Sequence, residues 1–356
     1  MIVRTGKPGA CAVIPDSLPE ANCSDLVVVR PAACARPGYI CYVVNSTAAG
    51  HINAHLVGAV QQHFNVGSAR QIRFRLPSID EQDRVLAVLG ALDDKIDLNR
   101  RMNETLEAMA RAVFKDWFVD FGPTRAKMEG RAPYLAPEIW ALFPDRLDNE
   151  GKPAGWNGDG LMELIELNPP ERLPKGNFAP YVDMASVPTN GSWPEPPIPR
   201  EAGSGARFRN GDTLFARITP CLENGKTAYI ECLPEDAVGW GSTEFIVMRA
   251  RPPAPPELAY LLARDDRFRA HAIRSMTGTS GRQRVQADAL RGFALVRPSG
   301  ALLSSLGELV SPMFRKIASN ARESETLADT RDLLLPKLMS GEIRVKDAEK
   351  LAEAAA

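Results

Sequence analysis

The sequence has no long hydrophobic run, no secretory signal and no excess of charge of either sign. Its 43 basic and 44 acidic residues give a formal net charge of −1, so a nucleic-acid partner would have to be recognised through local clusters. The six cysteines include no C-x-x-C pair, which argues against a disulfide framework. We therefore expect a reduced protein of the cytoplasm with no membrane partner.

A helical phrase occurs twice in the chain. KIDLNRRMNETL (95–106) is nearly repeated as KIASNARESETL (316–327), at an offset of 221 residues. A chain of 356 residues is too long for one ordinary core, so two domains or a duplicated unit are expected from length alone. The repeat favours the duplicated unit.

Each copy of the phrase lies within a heptad pattern, with apolar residues in alternating steps of four and three. A single helix of this kind could be an ordinary core helix, but two in phase predict a long helical pair of about 60 Å. The polar positions Asn99 and Asn320 would fix its register at some cost in stability. The predicted pairing and subunit-docking residues are Leu89, Leu92, Ile96, Asn99, Leu106, Val113 and Trp117 in the first copy, and Val310, Met313, Ile317, Asn320, Leu327, Leu334 and Leu338 in the second.

The duplication extends upstream of both helices. The turn Gly6-Lys7 matches Gly225-Lys226, and Arg30 matches Arg249, both at an offset of 219. Short β-branched runs between Gly/Pro turns, mixed with helical pieces, predict an α+β fold for both globules. The predicted order is a first domain (1–77), long helix (78–121), linker (122–155), second domain (156–299), second long helix (300–343) and tail (344–356).

The stretch LPSIDEQDRVLAVLGALDDKIDLNRRMNETLEAMARAVFKDWFVDFGPTRAKMEG (76–130) resembles the central conserved region of DNA-specificity subunits of type I restriction–modification enzymes. That resemblance covers essentially the whole chain. It implies two target-recognition domains that each read half of a bipartite site in double-stranded DNA. It also implies that the two helices pair as an antiparallel coiled coil with pseudo-twofold symmetry and set the distance between the readers.

The resemblance further implies the partners. Two methylation subunits would dock on the helices, and a restriction/translocase subunit would join them. S-adenosylmethionine, ATP and Mg²⁺ are expected on those partner subunits, and this chain is expected to hold no cofactor or metal and to carry no catalytic residue.

The first domain departs from the family pattern. The second domain reaches Gly225-Lys226 70 residues after Gly155, whereas the first copy reaches the matching turn at residue 6. The first domain is therefore expected to be shortened at its amino-terminal side and to read DNA poorly. A misplaced start, a shortened subunit and the association of two copies of this chain all remain open.

A loop before the second long helix carries the candidate DNA contacts. The run SMTGTSGRQRV (275–285) combines glycine, hydroxyl, amide and guanidinium groups, which suit the reading of base edges. It lies within an arginine-rich stretch from Arg264 to Arg297, which could also be a solvated basic face. The predicted contacts are Thr279, Ser280, Arg282, Gln283 and Arg284, with Ser68, Arg70 and Gln71 from the run HFNVGSARQIRFR (63–75) in the first copy.

Lys226 and Lys7 lie on tight turns and Arg217 on a strand, so each could reach a DNA phosphate; for Lys226 a structural turn is the equal alternative. The run ENGKT is not predicted to bind a nucleotide, because Pro220 stands where a phosphate loop needs its first glycine.

Two further motifs are expected to be structural. NPPE (168–171) has Glu171 where adenine methyltransferases carry an aromatic residue, so a simple turn is favoured over catalysis. His51, His55 and His63 have no acidic partner at ligand spacing and are interpreted as packing or surface histidines.

The sequence thus predicts a non-catalytic DNA-reading subunit. The alternatives are a decayed specificity subunit that acts only as a protein scaffold and a stand-alone methyltransferase, which S-adenosylmethionine binding would identify.

Overall fold

The computed structural model describes the chain except for residues 16, 19, 21–22, 47, 57–62, 157–159, 280 and 356. It divides into two compact units: unit 1 holds Met1–Asn99 and Arg322–Ala356, and unit 2 holds Arg100–Ala321. None of the helices in the described part is both long and apolar enough to cross a membrane.

The elements follow one another in a mixed order. The first part of the chain holds β1 (Ile2–Val3), β2 (Leu26–Val27), α1 (Pro37–Asn45), α2 (Ala49–Ala54), α3 (Val66–Ala69), α4 (Ile79–Phe118), α5 (Gly122–Met128) and α6 (Pro137–Trp140). Next come α7 (Gly160–Leu164), β3 (Ile165–Leu167), β4 (Phe178–Val182), β5 (Ile198–Glu201), β6 (Arg207–Phe208), β7 (Thr213–Ala216), β8 (Thr227–Tyr229), β9 (Gly239–Gly241) and β10 (Phe245–Ala250). The last part holds α8 (Glu257–Ala263), α9 (Asp266–Arg274), α10 (Ala287–Leu290), α11 (Gly300–Ser340) and α12 (Val345–Ala355).

Unit 2 is built from two four-stranded sheets and a helical layer. The sheet β3-β10-β7-β8 is antiparallel throughout, and the sheet β5-β4-β9-β6 contains one parallel pair, β4 with β9. Side chains of the first sheet alternate between two cores, as the period of a strand requires. Leu214 and Val247 pack toward the second sheet, whereas Phe215 and Ile246 pack toward the helices.

Unit 1 contains a small sheet and a helical pair. Strands β1 and β2 are antiparallel, with Ile2 opposite Val27, and pack with Val44, Ile52 and Phe64. The amino-terminal half of α4 lies against the carboxyl-terminal half of α11: Asp93 accepts from Arg331 at 2.7 Å.

The remaining halves of the long helices pair within unit 2. Asn320 donates to the side-chain carbonyl of Asn103 at 2.8 Å, and Asn103 donates to the backbone carbonyl of Ile317 at 3.3 Å. In unit 1, therefore, the early half of α4 meets the late half of α11, and in unit 2 the late half of α4 meets the early half of α11, which is antiparallel order. The predicted α+β class with an antiparallel helix pair is confirmed.

The predicted domain boundaries stay predictions. The two long helices, α4 and α11, end at Phe118 and Ser340, each three residues before the end that the sequence predicted. Gly341, at φ +79°, follows α11 in the left-handed conformation that commonly ends helices. The segment predicted as a linker contains α5 and α6, and its Phe143 stacks edge-on against Trp117 at 5.2 Å.

Candidate functional site

The candidate site of unit 2 is a hairpin beside the end of strand β7. The amide of Val285 donates to the carbonyl of Arg217 at 2.9 Å, which continues the pairing beyond the strand. Thr277 and Arg284 exchange both backbone hydrogen bonds, at 3.0 and 2.9 Å. The described residues of 277–284, named the Arg282 hairpin here, are therefore held by backbone hydrogen bonds just beyond the end of β7.

The tip of the Arg282 hairpin is exposed. The amide of Arg282 donates to the carbonyl of Thr279 at 3.0 Å, and both side chains face solvent. Gly278 (φ +123°) and Gly281 (φ +81°) adopt backbone conformations that favour glycine. Ser280, also a predicted contact, lies outside the described residues. The hairpin thus presents a hydroxyl and a guanidinium group on a backbone with little bulk.

Arg284 holds the base of the hairpin. Its guanidinium donates to both carboxylate oxygens of Glu244 at 2.7–2.9 Å. This hydrogen bonding, reinforced by the positive charge, lowers the pKa of Glu244 below its ordinary value and raises the pKa of Arg284. Gln283 is half-buried, and its amide donates to the hydroxyl of Thr219 at 3.2 Å. Both residues therefore position the loop, and their predicted contact with bases stays a prediction.

Arg217 lies next to the hairpin at a cavity of about 380 Å³. Its terminal nitrogen donates to Gln286 at 2.5 Å, while its Nε is buried without a hydrogen-bond partner among the described residues. Arg207, Ser204 and Thr243 also line the cavity. Glu171 lines the cavity too, and its carboxylate is paired with Arg249 at 2.7 Å. The two guanidinium groups and two hydroxyl groups at one opening suit an anion such as a phosphate.

Arg264, the first arginine of the stretch from Arg264 to Arg297, does not belong to an exposed basic face. Its side chain is buried and donates to the backbone carbonyls of Thr189, Gly225 and Thr227 at 2.7, 2.8 and 3.0 Å. It also donates to the carbonyl of Gly191. The fork of a guanidinium group satisfies several carbonyls around one turn, so this arginine is structural.

Most other arginines of that stretch are paired with carboxylates. These pairs are Arg267–Asp265, Arg269–Asp266, Arg284–Glu244, Arg291–Asp288 and Arg297–Glu163. Within the stretch, as far as its residues are described, Arg274 and Arg282 are exposed and have no carboxylate partner. The charge available to an external ligand is therefore concentrated at these two positions.

Lys226 points into unit 2. Its ammonium group donates to the carbonyls of Met184 and Ala185 at 2.5 and 3.1 Å. Gly225, before it, adopts φ +75°. These bonds agree with the alternative that Lys226 has a structural role in its turn. To contact a DNA phosphate, its ammonium group would have to break its hydrogen bonds to both carbonyls.

The structure aligns the two copies differently from the sequence at the predicted DNA-contact loop, where residues 63–75 had been matched with 275–285. Phe64 donates to the carbonyl of Arg4 at 2.9 Å, as Val285 donates to that of Arg217. Helix α3 therefore corresponds to α10, at an offset of 221. The counterpart of the Arg282 hairpin is 56–63, where 57–62 lie outside the described residues.

The four predicted contacts of unit 1 differ in exposure. Ser68 is buried in α3, whereas Arg70 and Gln71 follow this helix and are exposed. Lys7 is exposed on the turn after β1. The correspondence of α3 with α10 separates Ser68, Arg70 and Gln71 from the loop they were aligned with, and their contact with DNA stays a prediction.

The histidines of unit 1 have a counterpart that the sequence comparison missed. The Nε2 atom of His51 lies 2.9 Å from the carbonyl of Ser68, and that of His271 lies 3.0 Å from the carbonyl of Ala289. The same ring-to-carbonyl contact in both units indicates packing. Among the described residues, no group of three His, Cys, Asp or Glu side chains could hold a metal ion.

The NPPE motif ends strand β3. Asn168, at φ +51°, accepts from the amide of Val247 at 3.0 Å through its side-chain oxygen, and Glu171 pairs with Arg249 at 2.7 Å. These contacts agree with the turn that was favoured for this motif.

The predicted helix-pairing residues are all at least half-buried. The buried ones are Leu89, Leu92, Asn99, Trp117, Val310, Ile317, Asn320, Leu327, Leu334 and Leu338, and the partly buried ones are Ile96, Leu106, Val113 and Met313. Within unit 1, Asn99 donates to Glu323 at 2.8 Å. The polar position in the middle of the pattern is therefore bonded across the helix pair.

A buried polar chain escaped the sequence analysis. Tyr260 donates to Glu107 on α4 at 2.7 Å and accepts from Arg264 at 2.9 Å. Burial raises the pKa of Tyr260. One feature of the sequence could have indicated Tyr260: Tyr39 lies at the matching position of the first copy, 221 residues earlier. Both tyrosines are buried in the structure.

Comparison with known proteins found specificity subunits as relatives, including the following two. The chain is 23% identical over 337 residues to the type I restriction enzyme HindI specificity subunit of Haemophilus influenzae, across 78% of this chain and 70% of that protein. It is 25% identical over 293 residues to the type I restriction enzyme MjaIX specificity subunit of Methanocaldococcus jannaschii, across 78% and 62% of the two chains. The chain thus spans less than two thirds of the second relative.

A solved type I restriction–modification S subunit from M. genitalium aligns with 86% of this chain and 73% of its own, at a TM-score of 0.48 and 12% identity. No protein-family model matches the chain. The two specificity-subunit relatives confirm the resemblance drawn from the sequence.

Proposed function

We propose that this chain, a relative of type I restriction enzyme specificity subunits, reads double-stranded DNA for a restriction–modification complex without catalysing a reaction itself. The observation that carries the proposal is the exposed Arg282 hairpin, whose base is hydrogen-bonded to the chain just beyond the end of β7. Sites built on such elements hold their side chains in place better than free loops do.

Recognition divides between two kinds of contact. Arg282 has a guanidinium group free to donate two hydrogen bonds to a guanine edge, and Thr279 offers a hydroxyl group to any base. Arg217 and its cavity would hold a backbone phosphate, which positions the hairpin without reading sequence. Arg284 would act on recognition indirectly, by fixing the hairpin through Glu244.

The wider assembly follows from the family. The paired halves of α4 and α11 would dock two methylation subunits, and a restriction/translocase subunit would join them in the cytoplasm. S-adenosylmethionine, ATP and Mg²⁺ would be held by those partners. The target would be bipartite if unit 1 also reads DNA, and one-sided or palindromic if only unit 2 does.

The test is single-molecule mapping of adenine methylation in a methylation-free host that expresses this chain with its methylation subunit. Arg282→Ala should lower methylation at the native motif by roughly 5- to 150-fold, the effect of a lost base contact worth about 1–3 kcal/mol. Arg274→Ala is the matched control, because Arg274 is an equally exposed arginine outside the hairpin.

Equal losses in both variants would mean that a general basic face, not the hairpin, binds DNA. An intact complex that methylates no site would instead support the scaffold alternative.

A further inference from the structure

The short strand pair of unit 1 has the register of β7 and β10 in unit 2. The amide of Arg4 donates to the carbonyl of Asp25 at 3.1 Å, as that of Arg217 donates to the carbonyl of Glu244 at 3.0 Å. Val3 lies opposite Leu26 in unit 1, as Ala216 lies opposite Phe245 in unit 2. Strand β2 therefore corresponds to the start of β10 at an offset of 219. On this register, Val28 and Val29 correspond to Val247 and Met248, and Arg30 corresponds to Arg249.

In unit 2, the outer edge of β10 is covered by an added strand. Met248 pairs with Leu167, and Ala250 pairs with Ile165 in antiparallel order. The amide of Asn168 donates to the carbonyl of Val247 at 2.7 Å. Val247 and Met248 consequently have exposures of 1% and 0%.

In unit 1, the corresponding residues 28–30 continue the chain beyond the end of β2 at Val27 and are uncovered. Val28 and Val29 are 52% and 37% exposed, and β2 has β1 as its strand partner. Nowhere in the described parts of unit 1 does a second strand pair with residues 28–30. Exposed strand edges readily accept another polypeptide.

The two units also differ in the pairing of the arginine that follows these two apolar residues. Arg249 donates to Asp212 at 2.6 Å and pairs with Glu171 at 2.7 Å. Arg30, its counterpart, is exposed, and no carboxylate of the described residues forms an ion pair with it. Residues 28–30 thus offer two apolar side chains followed by a cation.

We propose that the edge at residues 28–30 binds an extended segment of a second polypeptide, which adds antiparallel to β2 as β3 adds to β10. The segment carries apolar residues at alternate positions, as Ile165 and Leu167 do, and an acidic residue that pairs with Arg30. Backbone hydrogen bonds give such strand addition its affinity, and the side-chain pattern gives its specificity.

The experiment uses the full chain and no DNA, so its outcome is independent of the proposed function. The probe is a fluorescent peptide with the sequence of residues 160–171, which supplies α7, β3 and Glu171. Fluorescence anisotropy should show saturable binding, and hydrogen exchange should show protection of the amides of Val28 and Arg30, which correspond to Val247 and Arg249 on the side of β10 that faces β3.

Two variants locate the binding. Val29→Asp should abolish it, and Arg30→Ala should weaken it by about tenfold, the loss of one charge-assisted bond. Leu351→Asp is the matched control, since Leu351 is a 48% exposed apolar residue of α12 and should leave binding unchanged.

Absence of saturable binding, or binding that survives Val29→Asp, would overturn the proposal. So would self-association of the chain that Val29→Asp abolishes and the peptide does not compete with, because a second copy of this chain would then occupy the edge.

Discussion

The arginines of unit 2 differ in function according to the groups that accept their hydrogen bonds. Arg264 is enclosed by backbone carbonyls, Arg284 is held by one carboxylate, and Arg282 donates to no carboxylate among the residues described. In the sequence, all three belong to one basic stretch. The distinction depends on which chain segments surround each guanidinium group, and those contacts join residues far apart in sequence.

Replacing Arg264 should destabilise unit 2 strongly. Arg264→Ala leaves several buried carbonyls and Tyr260 without a donor, at a cost of about 3 kcal/mol or more, and Arg264→Lys should not restore the loss because an ammonium lacks the planar fork. The denaturant midpoint of each variant measures the effect. Arg274→Ala should leave the midpoint unchanged; an equal shift in that variant would contradict the structural role of Arg264.

Acid should release the Arg282 hairpin. Because Arg284 lowers the pKa of Glu244 from its ordinary value of 4.5, the pair stabilises the folded chain fully above that pH and loses its effect as the pH falls through the lowered pKa. The difference in unfolding free energy between the wild type and Glu244→Gln should therefore be constant above pH 4.5 and shrink below it. A difference that grows toward acid would contradict the assignment.

At the scale of whole elements, the long helices were predictable and the sheets were not. Heptad spacing is local information, and it located α4 and α11 to within three residues even though α11 contains Pro312 and Pro336. The sheet order and the Arg282 hairpin depend on pairing between distant segments. The first-copy loop was aligned with the wrong segment for this reason, because the correspondence of α3 with α10 appears only through backbone bonds at Arg4 and Arg217.

A charge in the helix pair should separate it. Ile317→Asp places a carboxylate at a position with 3% exposure, where an unpaired charge costs several kcal/mol, about 3 or more. Helical circular dichroism should show a lower melting temperature, and methylation subunits should no longer co-purify. Ser319→Asp, two residues along on the exposed side of the same helix, is the control; normal assembly of the Ile317 variant would refute the docking proposal.

At the scale of the molecule, the two units differ in whether they are formed by one continuous segment of the chain or by two. Unit 2 is continuous from Arg100 to Ala321, whereas unit 1 needs both ends of the chain. Its core joins Val85 and Leu89 with Leu327, Leu334 and Leu338. The duplication was visible in the sequence, but this unequal division was not, because it follows from the antiparallel order of the helix halves.

Removing residues 322–356 should therefore unfold unit 1 and spare unit 2. Hydrogen exchange of the shortened chain should show lost protection around Val43 and Leu89 and retained protection in β7 and β10. Equal loss in both regions would mean that the units do not fold separately.

The antiparallel order of the helices also has a consequence for synthesis on the ribosome. The segment that leaves the ribosome first, Met1–Asn99, must wait for Arg322–Ala356 before its helical core can close. At about 5–20 residues per second, that delay lasts roughly 10 to 50 s, because all of unit 2 is synthesised in between. The apolar face of the early half of α4 is exposed to other nascent chains throughout that interval, so this half is where a chaperone would be needed first.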